Sequence, residues 1–265
     1  MPVDELINYL PRPMPIQPVR LRDRLLGAER SLVCSPLVGT TKESLRLEAE
    51  RVAARGPDLV EWRADHLQGL ELRALPGLLA TLRSQLSVPL LFTCRLFSEG
   101  GAAQMPDDLR VAMLEAAVGS GLVDLVDVEL AVEPRHRVGL LSSARERGVP
   151  VVVSAHDFRE TPDEAILLET LAREQEAGAS VAKIAAMART PRDGLRLLSA
   201  CGRARAEFLR IPLIGIAMGP AGAFTRVVGP LFGIDLTFAS AVRSSAPGQM
   251  DLQDVRQAMQ LLTIP

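Results

Sequence analysis

Lys183 is the residue in this sequence whose type and position most clearly indicate a chemical role. It and Lys42 are the chain's two lysines, among 30 lysine and arginine residues in total. Lys183 lies in the apolar run 180–187, which is typical of a buried strand. A desolvated lysine can lose its proton, as an arginine cannot, and the free amine forms imines with ketones. Lys183 therefore predicts a Schiff-base enzyme; the alternative is a lysine that reaches the rim and pairs with a carboxylate.

Short apolar runs alternate with longer amphipathic segments along most of the chain. The predicted strands are Ser31–Ser35, Leu59–Trp62, Pro89–Cys94, Val123–Val128, Pro150–Ala155, Ser180–Ile184, Pro212–Ala217 and Leu236–Phe238. The predicted helices lie near 42–55, 71–86, 107–119, 134–147, 162–177, 191–209, 221–228 and 251–262. This alternation indicates βαβ units and a parallel sheet.

Eight such units predict an α/β fold of the (β/α)8 TIM-barrel type. A doubly wound sheet is the competing fold, but the chain has neither G-x-G-x-x-G nor G-x-x-x-x-G-K-[ST]. A short hairpin predicted near 17–29 would close the bottom of the barrel. Residues 1–16 are rich in proline and predict a loose extension, so 17–265 are expected to form one catalytic domain.

The composition argues against several classes of protein. The net charge is −2 and 3% of the residues are aromatic, which does not indicate binding to nucleic acid or to an anionic membrane. No apolar window has the length of a membrane span, and the N-terminus lacks the apolar core of a signal peptide. Cys34, Cys94 and Cys201 are too widely spaced for a metal site and suggest free thiols. We expect a soluble cytoplasmic protein without a metal.

Polar residues cluster where the predicted strands end, which is where TIM barrels carry out chemistry. They are Ser35, Glu61, Arg63, Arg95, Glu99, Asp127, Glu129, Ser154, His156, Lys183, Arg226, Ser245 and Gln249. Structural interpretations stay open for several of them. His156 could cap a loop, Glu61 and Arg63 could form a plain ion pair on one strand face, and residues 245–249 could be an ordinary turn.

The motifs, taken in order, resemble those of type I 3-dehydroquinate dehydratases. They are Glu61-Trp-Arg-Ala-Asp65, Thr93-Cys-Arg95 with Glu99-Gly-Gly101, Asp127-Val-Glu-Leu130, Ser154-Ala-His-Asp-Phe158, Lys183-Ile-Ala-Ala-Met187, Met218-Gly219 with Thr225-Arg226, Thr237-Phe238 and Ser245-Ala-Pro-Gly-Gln249. The resemblance extends from about Val19 to Leu262. It implies syn dehydration of 3-dehydroquinate to 3-dehydroshikimate in the shikimate pathway.

The resemblance also implies roles for individual residues. Lys183 would form the imine with the substrate ketone, His156 would act as general base and acid, and Glu99 would orient His156. Burial and nearby arginines are expected to keep the Lys183 amine neutral. The implied substrate-binding residues are Ser35, Glu61, Arg63, Arg95, Met218, Arg226, Phe238, Ser245, Ala246 and Gln249. Arg226 would hold the substrate carboxylate, and residues 245–249 would close over it.

No cofactor is implied, and the expected partners are the small substrate and a second copy of the chain in a homodimer. Cys94, Ile216 and Thr225 depart from the usual family pattern, although none of them is implied in the mechanism. Two alternatives remain at this point: another Schiff-base barrel such as a class I aldolase, and a non-catalytic barrel that senses dehydroquinate or quinate.

Overall fold

The computed structural model describes residues 15–28 and 30–262. Its strands are β1 (Val19–Leu21), β2 (Arg24–Leu26), β3 (Leu32–Leu37), β4 (Leu59–Arg63), β5 (Leu90–Thr93), β6 (Leu125–Glu129), β7 (Val151–Asp157), β8 (Val181–Met187), β9 (Leu213–Met218) and β10 (Leu236–Phe238). Its α-helices are α1 (Lys42–Ala54), α2 (Leu75–Gln85), α3 (Asp107–Gly119), α4 (Pro134–Glu146), α5 (Glu164–Glu176), α6 (Pro191–Glu207), α7 (Thr225–Val228) and α8 (Leu252–Leu262).

Strands β3 to β10 form one parallel sheet that curves into a nearly closed barrel. Neighbouring strands follow the order of the chain from β3 to β9, and β10 pairs with β3. Between β9 and β10 the Asp235 N–H donates to the Leu213 carbonyl at 2.8 Å, and the Leu213 N–H donates to the Asp235 carboxylate at 2.7 Å. The predicted TIM barrel is therefore confirmed, and the doubly wound sheet is excluded.

The alternation of side chains along each strand separates two apolar cores. On β8, Ala182, Ile184 and Ala186 pack outward against the helices, whereas Val181 and Ala185 point into the barrel. This is the period of two that a strand imposes on its side chains. Lys183 shares the inward face with Val181 and Ala185, so the strand itself directs its side chain into the barrel.

The predicted hairpin is present at the bottom of the barrel. β1 and β2 pair antiparallel, and Leu21 and Leu26 are buried in the same inner cluster as Leu59, Leu91 and Leu125. Those three leucines stand at the first or second position of their strands, so the hairpin closes the amino end of the barrel. The predicted extension falls largely on residues 1–14, which lie outside the described residues.

Helix boundaries follow local capping chemistry, and three helices begin later than predicted. Those predicted near 71–86 and 221–228 begin at Leu75 and Thr225, after short 3-10 turns. Thr190 and Asp193 form a reciprocal capping box at the start of α6. The helix predicted at 162–177 begins instead at Glu164, because the Thr161 hydroxyl donates to the Met187 carbonyl at 2.9 Å and does not cap the helix. Thr161 thus connects the loop after β7 to the end of β8.

Candidate active site

A cavity of about 40 Å³ lies at the carboxyl ends of the barrel strands. Its lining comprises Glu61, Arg63, Arg95, Glu99, Gly100, His156, Phe158, Lys183, Ala185, Ile216, Met218, Arg226, Phe238, Ser245, Ala246 and Gln249. The structure therefore brings together every predicted site residue except Ser35. The Ser35 side chain is buried, and its hydroxyl donates to the Ala239 carbonyl at 2.9 Å.

The Lys183 amine is buried beside carboxylates. Its Nζ lies 2.7 Å from Asp127 Oδ2, 3.8 Å from Glu61 Oε1 and 5.0 Å from the centre of the Phe238 ring. We expected arginines to dominate its surroundings, but carboxylates are its direct ionic partners. The bond to Asp127 must be exchanged before the amine can attack a ketone.

Asp127 stands at the centre of a buried network. Its Oδ2 also accepts from Arg95 Nη2 at 2.7 Å, and its Oδ1 accepts from the Ser154 hydroxyl at 2.5 Å. Burial alone would raise the pKa of Asp127, but the charges of Arg95 and Lys183 outweigh burial and hold that pKa well below its usual range. Asp127 is therefore a fixed anion one hydrogen bond from the amine.

The network continues outward through alternating charges. Arg95 Nη1 donates to Glu129 at 2.9 Å, and Arg110 Nη1 donates to the other Glu129 oxygen at 2.7 Å. Arg95, Glu129 and Arg110 are all buried, so each charge has an opposite partner away from water. The polar pattern at strand ends located Asp127 and Glu129 without giving them a role. Arg110 was missed because it lies on a helix.

His156 and Glu99 form a second, separate pair. His156 Nδ1 lies 2.9 Å from Glu99 Oε2, and the His156 backbone N–H donates to the same oxygen at 3.0 Å. Burial, followed by the charges of Arg95 and Lys183, lowers the pKa of His156 well below its usual value. Burial raises the pKa of Glu99 to about 8, although Arg95 acts in the opposite direction. His156 is thus a neutral imidazole at neutral pH, ready to accept a proton.

Glu61 and Arg63 do not form the plain ion pair that was one interpretation of their spacing. Arg63 makes a bidentate pair with Asp65, at 2.9 and 2.7 Å. Glu61 Oε1 accepts from the Thr93 hydroxyl at 2.8 Å. Asp65 also accepts the Arg95 backbone N–H at 3.2 Å, so it fixes two strand ends together. Its position in the Glu61–Asp65 motif was the available signal for this role.

Among the described residues, the buried Arg226 guanidinium has only carbonyl groups as hydrogen-bond partners. It donates to the carbonyls of Gly248, Phe238 and Pro247 at 3.1, 3.2 and 3.4 Å. Burial lowers its pKa to about 10, and no carboxylate pairs with it among the described residues. A buried arginine without an anionic partner is well suited to bind an anion that enters the cavity.

The loop that covers Arg226 is held by its own side chains. The Ser245 N–H donates to Gln249 Oε1 at 2.9 Å, and Gln249 Nε2 donates back to the Ser245 hydroxyl at 3.1 Å. Gly248 has a φ of +77°, and a Cβ there would lie 2.4 Å from the Gly219 carbonyl oxygen. Residues 245–249 thus form a loop that contains a turn at 247–248 and lies against Arg226; this loop is called the cover below.

Apolar residues complete the wall. Met218 and Phe238 lie where the sequence placed them, while Phe158, Ala185 and Ile216 were not among the predicted site residues. Phe158 packs so closely on Gly100 that a Cβ at Gly100 would lie 2.2 Å from its ring. The signal for Phe158 was its place at the end of the Ser154–Phe158 motif. Its contact with a glycine from another loop could not be derived from that motif.

This architecture and these side chains agree with comparisons to known proteins. The family model for type I 3-dehydroquinase matches residues 33–265. A 3-dehydroquinate dehydratase from Syntrophotalea carbinolica is 41% identical over 246 residues, covering 92% of this chain and 97% of that protein. One from Klebsiella pneumoniae is 37% identical over 235 residues, covering 88% and 94%.

This chain belongs to the type I 3-dehydroquinase family.

Solved structures of this family share the fold closely. The crystal structure of 3-dehydroquinate dehydratase from Geobacillus kaustophilus superposes with a TM-score of 0.91 at 37% identity, covering 95% of this chain and 98% of that one. The type I enzyme from Clostridium difficile, whose structure contains covalently modified comenic acid, superposes with a TM-score of 0.89 at 32% identity, covering 93% and 98%.

Within residues 15–28 and 30–262, no cluster of histidine, cysteine, aspartate and glutamate side chains is arranged to hold a metal ion. None of the helices in the same ranges is both long enough and apolar enough to cross a membrane.

Proposed function

We propose that this dehydroquinase-family chain converts 3-dehydroquinate to 3-dehydroshikimate by syn dehydration through an imine on Lys183. The observation that carries this proposal is the meeting, in one cavity, of a buried lysine amine, a neutral histidine and a buried arginine without a carboxylate partner. Each group meets one requirement of the substrate: its ketone, its acidic carbon–hydrogen bond and its carboxylate.

The chemistry proceeds through balanced proton transfers. The Lys183 amine adds to the ketone carbon and water leaves, which gives a protonated imine. Electron withdrawal by the imine acidifies the neighbouring carbon, and His156 takes a proton from it. The resulting imidazolium returns the proton to the departing hydroxyl group, which leaves as water while the carbon–carbon double bond forms. Hydrolysis of the imine then releases the product and restores the amine.

The buried network supplies the electrostatics of this sequence. The imine is a cation where Nζ now stands, 2.7 Å from Asp127 and 3.8 Å from Glu61. Fixed carboxylates stabilise that cation without having to reorganise, because Arg95 and Ser154 already hold Asp127 in place. Glu99 acts on the positive charge that forms at His156, because an ionised Glu99 stabilises the imidazolium.

Substrate binding follows from the remaining lining residues. Arg226 would receive the carboxylate, and Arg63 and Gln249 offer hydrogen bonds to hydroxyl groups. The buried Arg226 guanidinium donates to the carbonyls of Gly248 and Pro247 in the cover formed by residues 245–249. A substrate carboxylate that binds Arg226 therefore calls for movement of this cover on entry and its closure before chemistry.

Trapping the imine tests the proposal. The protein is incubated with 3-dehydroquinate and borohydride, digested and analysed by mass spectrometry, with Lys183→Met as the matched control. We expect a reduced adduct on the peptide that contains Lys183, and without borohydride a near-ultraviolet absorbance from the enone acid. Full turnover without an adduct at Lys183 would overturn the mechanism.

The same experiment separates the two alternatives. A class I aldolase would split a carbon–carbon bond and release fragments, and the family match already places the chain apart from aldolases. A sensing barrel would bind dehydroquinate without producing the enone. The paired Glu99 and His156 in the cavity support catalysis, because ligand recognition alone has no need of a base.

Several expectations about the whole protein are part of this proposal. We infer a homodimer, a cytoplasmic location, one catalytic domain over 17–265 and catalysis without a cofactor. The three cysteines are buried and free, which suits a reducing compartment. Sedimentation at several concentrations would test the dimer, and dialysis against a chelator should leave the activity unchanged.

A further inference from the structure

Glu174 lies behind the proposed nucleophile, on the outer side of the barrel wall. It belongs to α5 and is 0% exposed. Its Oε2 accepts the backbone N–H of Lys183 at 2.9 Å. In the described part of the chain, its Oε1 has no hydrogen-bond partner. The mechanism above makes no use of this buried carboxyl group.

Lys183 lies in a regularly paired part of β8. The Ser180 N–H, one residue before β8, donates to the Val151 carbonyl at 2.8 Å, and the Ala182 N–H donates to the Pro212 carbonyl at 2.9 Å. From Val181 and Ala182 onward, β8 pairs with β7 and with β9 without a break in register. The Lys183 N–H nevertheless donates to a helix side chain, so Glu174 joins α5 to β8 at the residue that carries the amine.

The chemistry of Glu174 suits a hydrogen bond better than a counter-ion. Burial raises the pKa of Glu174 well above its usual value, and the Lys183 N–H bond opposes that rise only in part. The charges of Asp127 and Glu99 raise it further. Burial therefore favours the uncharged form of this carboxyl group. In that form it accepts from the Lys183 backbone without adding a further anion near the amine.

We propose that Glu174 is a positioning residue for Lys183: by accepting the Lys183 backbone N–H, it holds this part of β8 in place and directs the amine towards Asp127 and the cavity. This inference rests on the proposed role of Lys183 as the imine-forming amine. Imine formation is sensitive to the position of the amine, because a displacement of the reacting group by about 1 Å can lower the rate on the order of 100-fold.

The test compares Glu174→Leu with Glu174→Gln. Leucine removes the acceptor, so we expect the single-turnover rate of borohydride-trapped imine to fall at least about tenfold, while product affinity, which depends on Arg226, changes less than about twofold. Glutamine keeps a neutral acceptor of the same shape, so we expect it to stay within about threefold of wild type and to keep the wild-type pH–rate profile. A Leu variant at the wild-type rate, or a Gln variant as slow as Leu, would contradict the proposal.

Glu48 provides a matched control. It is a buried glutamate on α1, 3% exposed, whose Oε2 accepts the Val38 backbone N–H at 2.9 Å. Glu48→Leu removes the same kind of bond away from Lys183, and we expect it to leave imine formation unchanged. Equal losses in the Glu48→Leu and Glu174→Leu variants would show a general structural effect and overturn the positioning role.

Folding and the parent proposal are checked separately. Circular dichroism and product binding establish that each variant is folded; if Glu174→Leu does not fold, Glu174→Met replaces it, and the Gln comparison holds in either case. Absence of any adduct in the wild-type protein would refute the imine mechanism itself. A wild-type adduct together with a normal rate in the apolar Glu174 variant would refute only the role of Glu174.

Discussion

The two ends of the barrel interior are lined by the same strand faces but carry different kinds of side chain. On β6 the inward residues change from Leu125 to Asp127 within two positions, and on β8 they change from Val181 to Lys183. All four are at most 4% exposed. Burial alone therefore does not decide residue type here. The amino half excludes polar groups. The carboxyl half tolerates charge because its charged groups form ion pairs or, as Arg226 does, donate to backbone carbonyls.

This contrast teaches where stability and chemistry reside. In the amino half, the inward side chains and the hairpin leucines Leu21 and Leu26 form a purely apolar layer. In the carboxyl half, one change disturbs a chain of linked charges that extends from Lys183 to Arg110. Substitutions in the two halves should consequently separate activity from stability.

The largest effect on activity is expected from Lys183→Met. Without the amine no imine forms, so kcat/KM should fall by at least about 10⁴-fold in the near-ultraviolet product assay. Asp127 keeps Arg95 and Ser154 as partners, so the fold should persist. Lys42→Met is the control, since Lys42 is exposed on α1 and should be dispensable. Substantial activity in Lys183→Met would show that the charged half is structural.

His156→Ala should have the next largest effect. Loss of the general base should lower kcat by about 10²- to 10⁴-fold, while the imine still forms and can be trapped with borohydride. The control is His136→Ala, because His136 lies on α4, outside the residues that line the cavity. A variant that neither traps nor turns over would indicate that His156 is also needed for imine formation.

The pair of Glu99 and His156 predicts a pH dependence. Glu99 is protonated below its pKa of about 8, and when ionised it accepts Nδ1–H and leaves Nε2 free to take a proton. We therefore expect kcat to rise about tenfold from pH 7 to pH 9. Glu99→Gln should remove this rise and lower kcat about 10- to 100-fold. A wild-type profile that is flat over this range would contradict the assignment.

The same group predicts the opposite trend for stability. The folded-state pKa of Glu99 is about 8, above the usual value of 4.5 for a glutamate, so the unfolded chain releases its proton first as the pH rises. The stability that this group contributes is complete below about pH 4.5 and is lost as the pH rises through 8. Chemical denaturation at pH 6 and pH 9, repeated with Glu99→Gln, would measure this contribution.

The smallest effect on activity is expected in the apolar half. Leu125→Ala removes a fully buried side chain and should lower the free energy of unfolding by about 2–5 kcal/mol. Because Leu125 belongs to the inner apolar cluster and is not among the residues that line the cavity, kcat/KM of the folded variant should change less than about threefold. Leu231→Ala is the control, since Leu231 is 64% exposed. A loss of activity as large as that of His156→Ala would mean that the two halves are not separable.

Much of this organisation could be predicted from sequence because it depends on local pattern. The alternation of apolar runs and amphipathic segments predicted the eight strands, and the polar strand ends placed Lys183, His156 and Arg226 at one mouth. The family motifs then supplied their roles. Each of these inferences needs only positions along the chain and the rule that parallel strands end on the same side.

The parts that could not be predicted depend on which groups meet across the barrel. Composition favoured arginines around Lys183, but packing placed Asp127 nearest to the amine. Arg110 and Glu174 approach from helices, where the strand-end pattern gives no signal. The strand predicted to end at Ser35 continues to Leu37, and the Ser35 hydroxyl donates to the backbone carbonyl of Ala239. Such choices are decided by distances that one sequence does not contain.

The bond from Ser35 to Ala239 also bears on how the protein folds. It joins residues 204 apart along the chain, and the bond from Ser31 to the Ile234 carbonyl spans 203. Contacts of such long range are slow to form, because a long loop must close before they can stabilise anything. We therefore expect the barrel to close late in folding, when the last strand, β10, pairs with β3. Arg226, Phe238 and the cover come from this final part of the chain, so a nascent chain acquires catalytic competence only when its barrel is sealed.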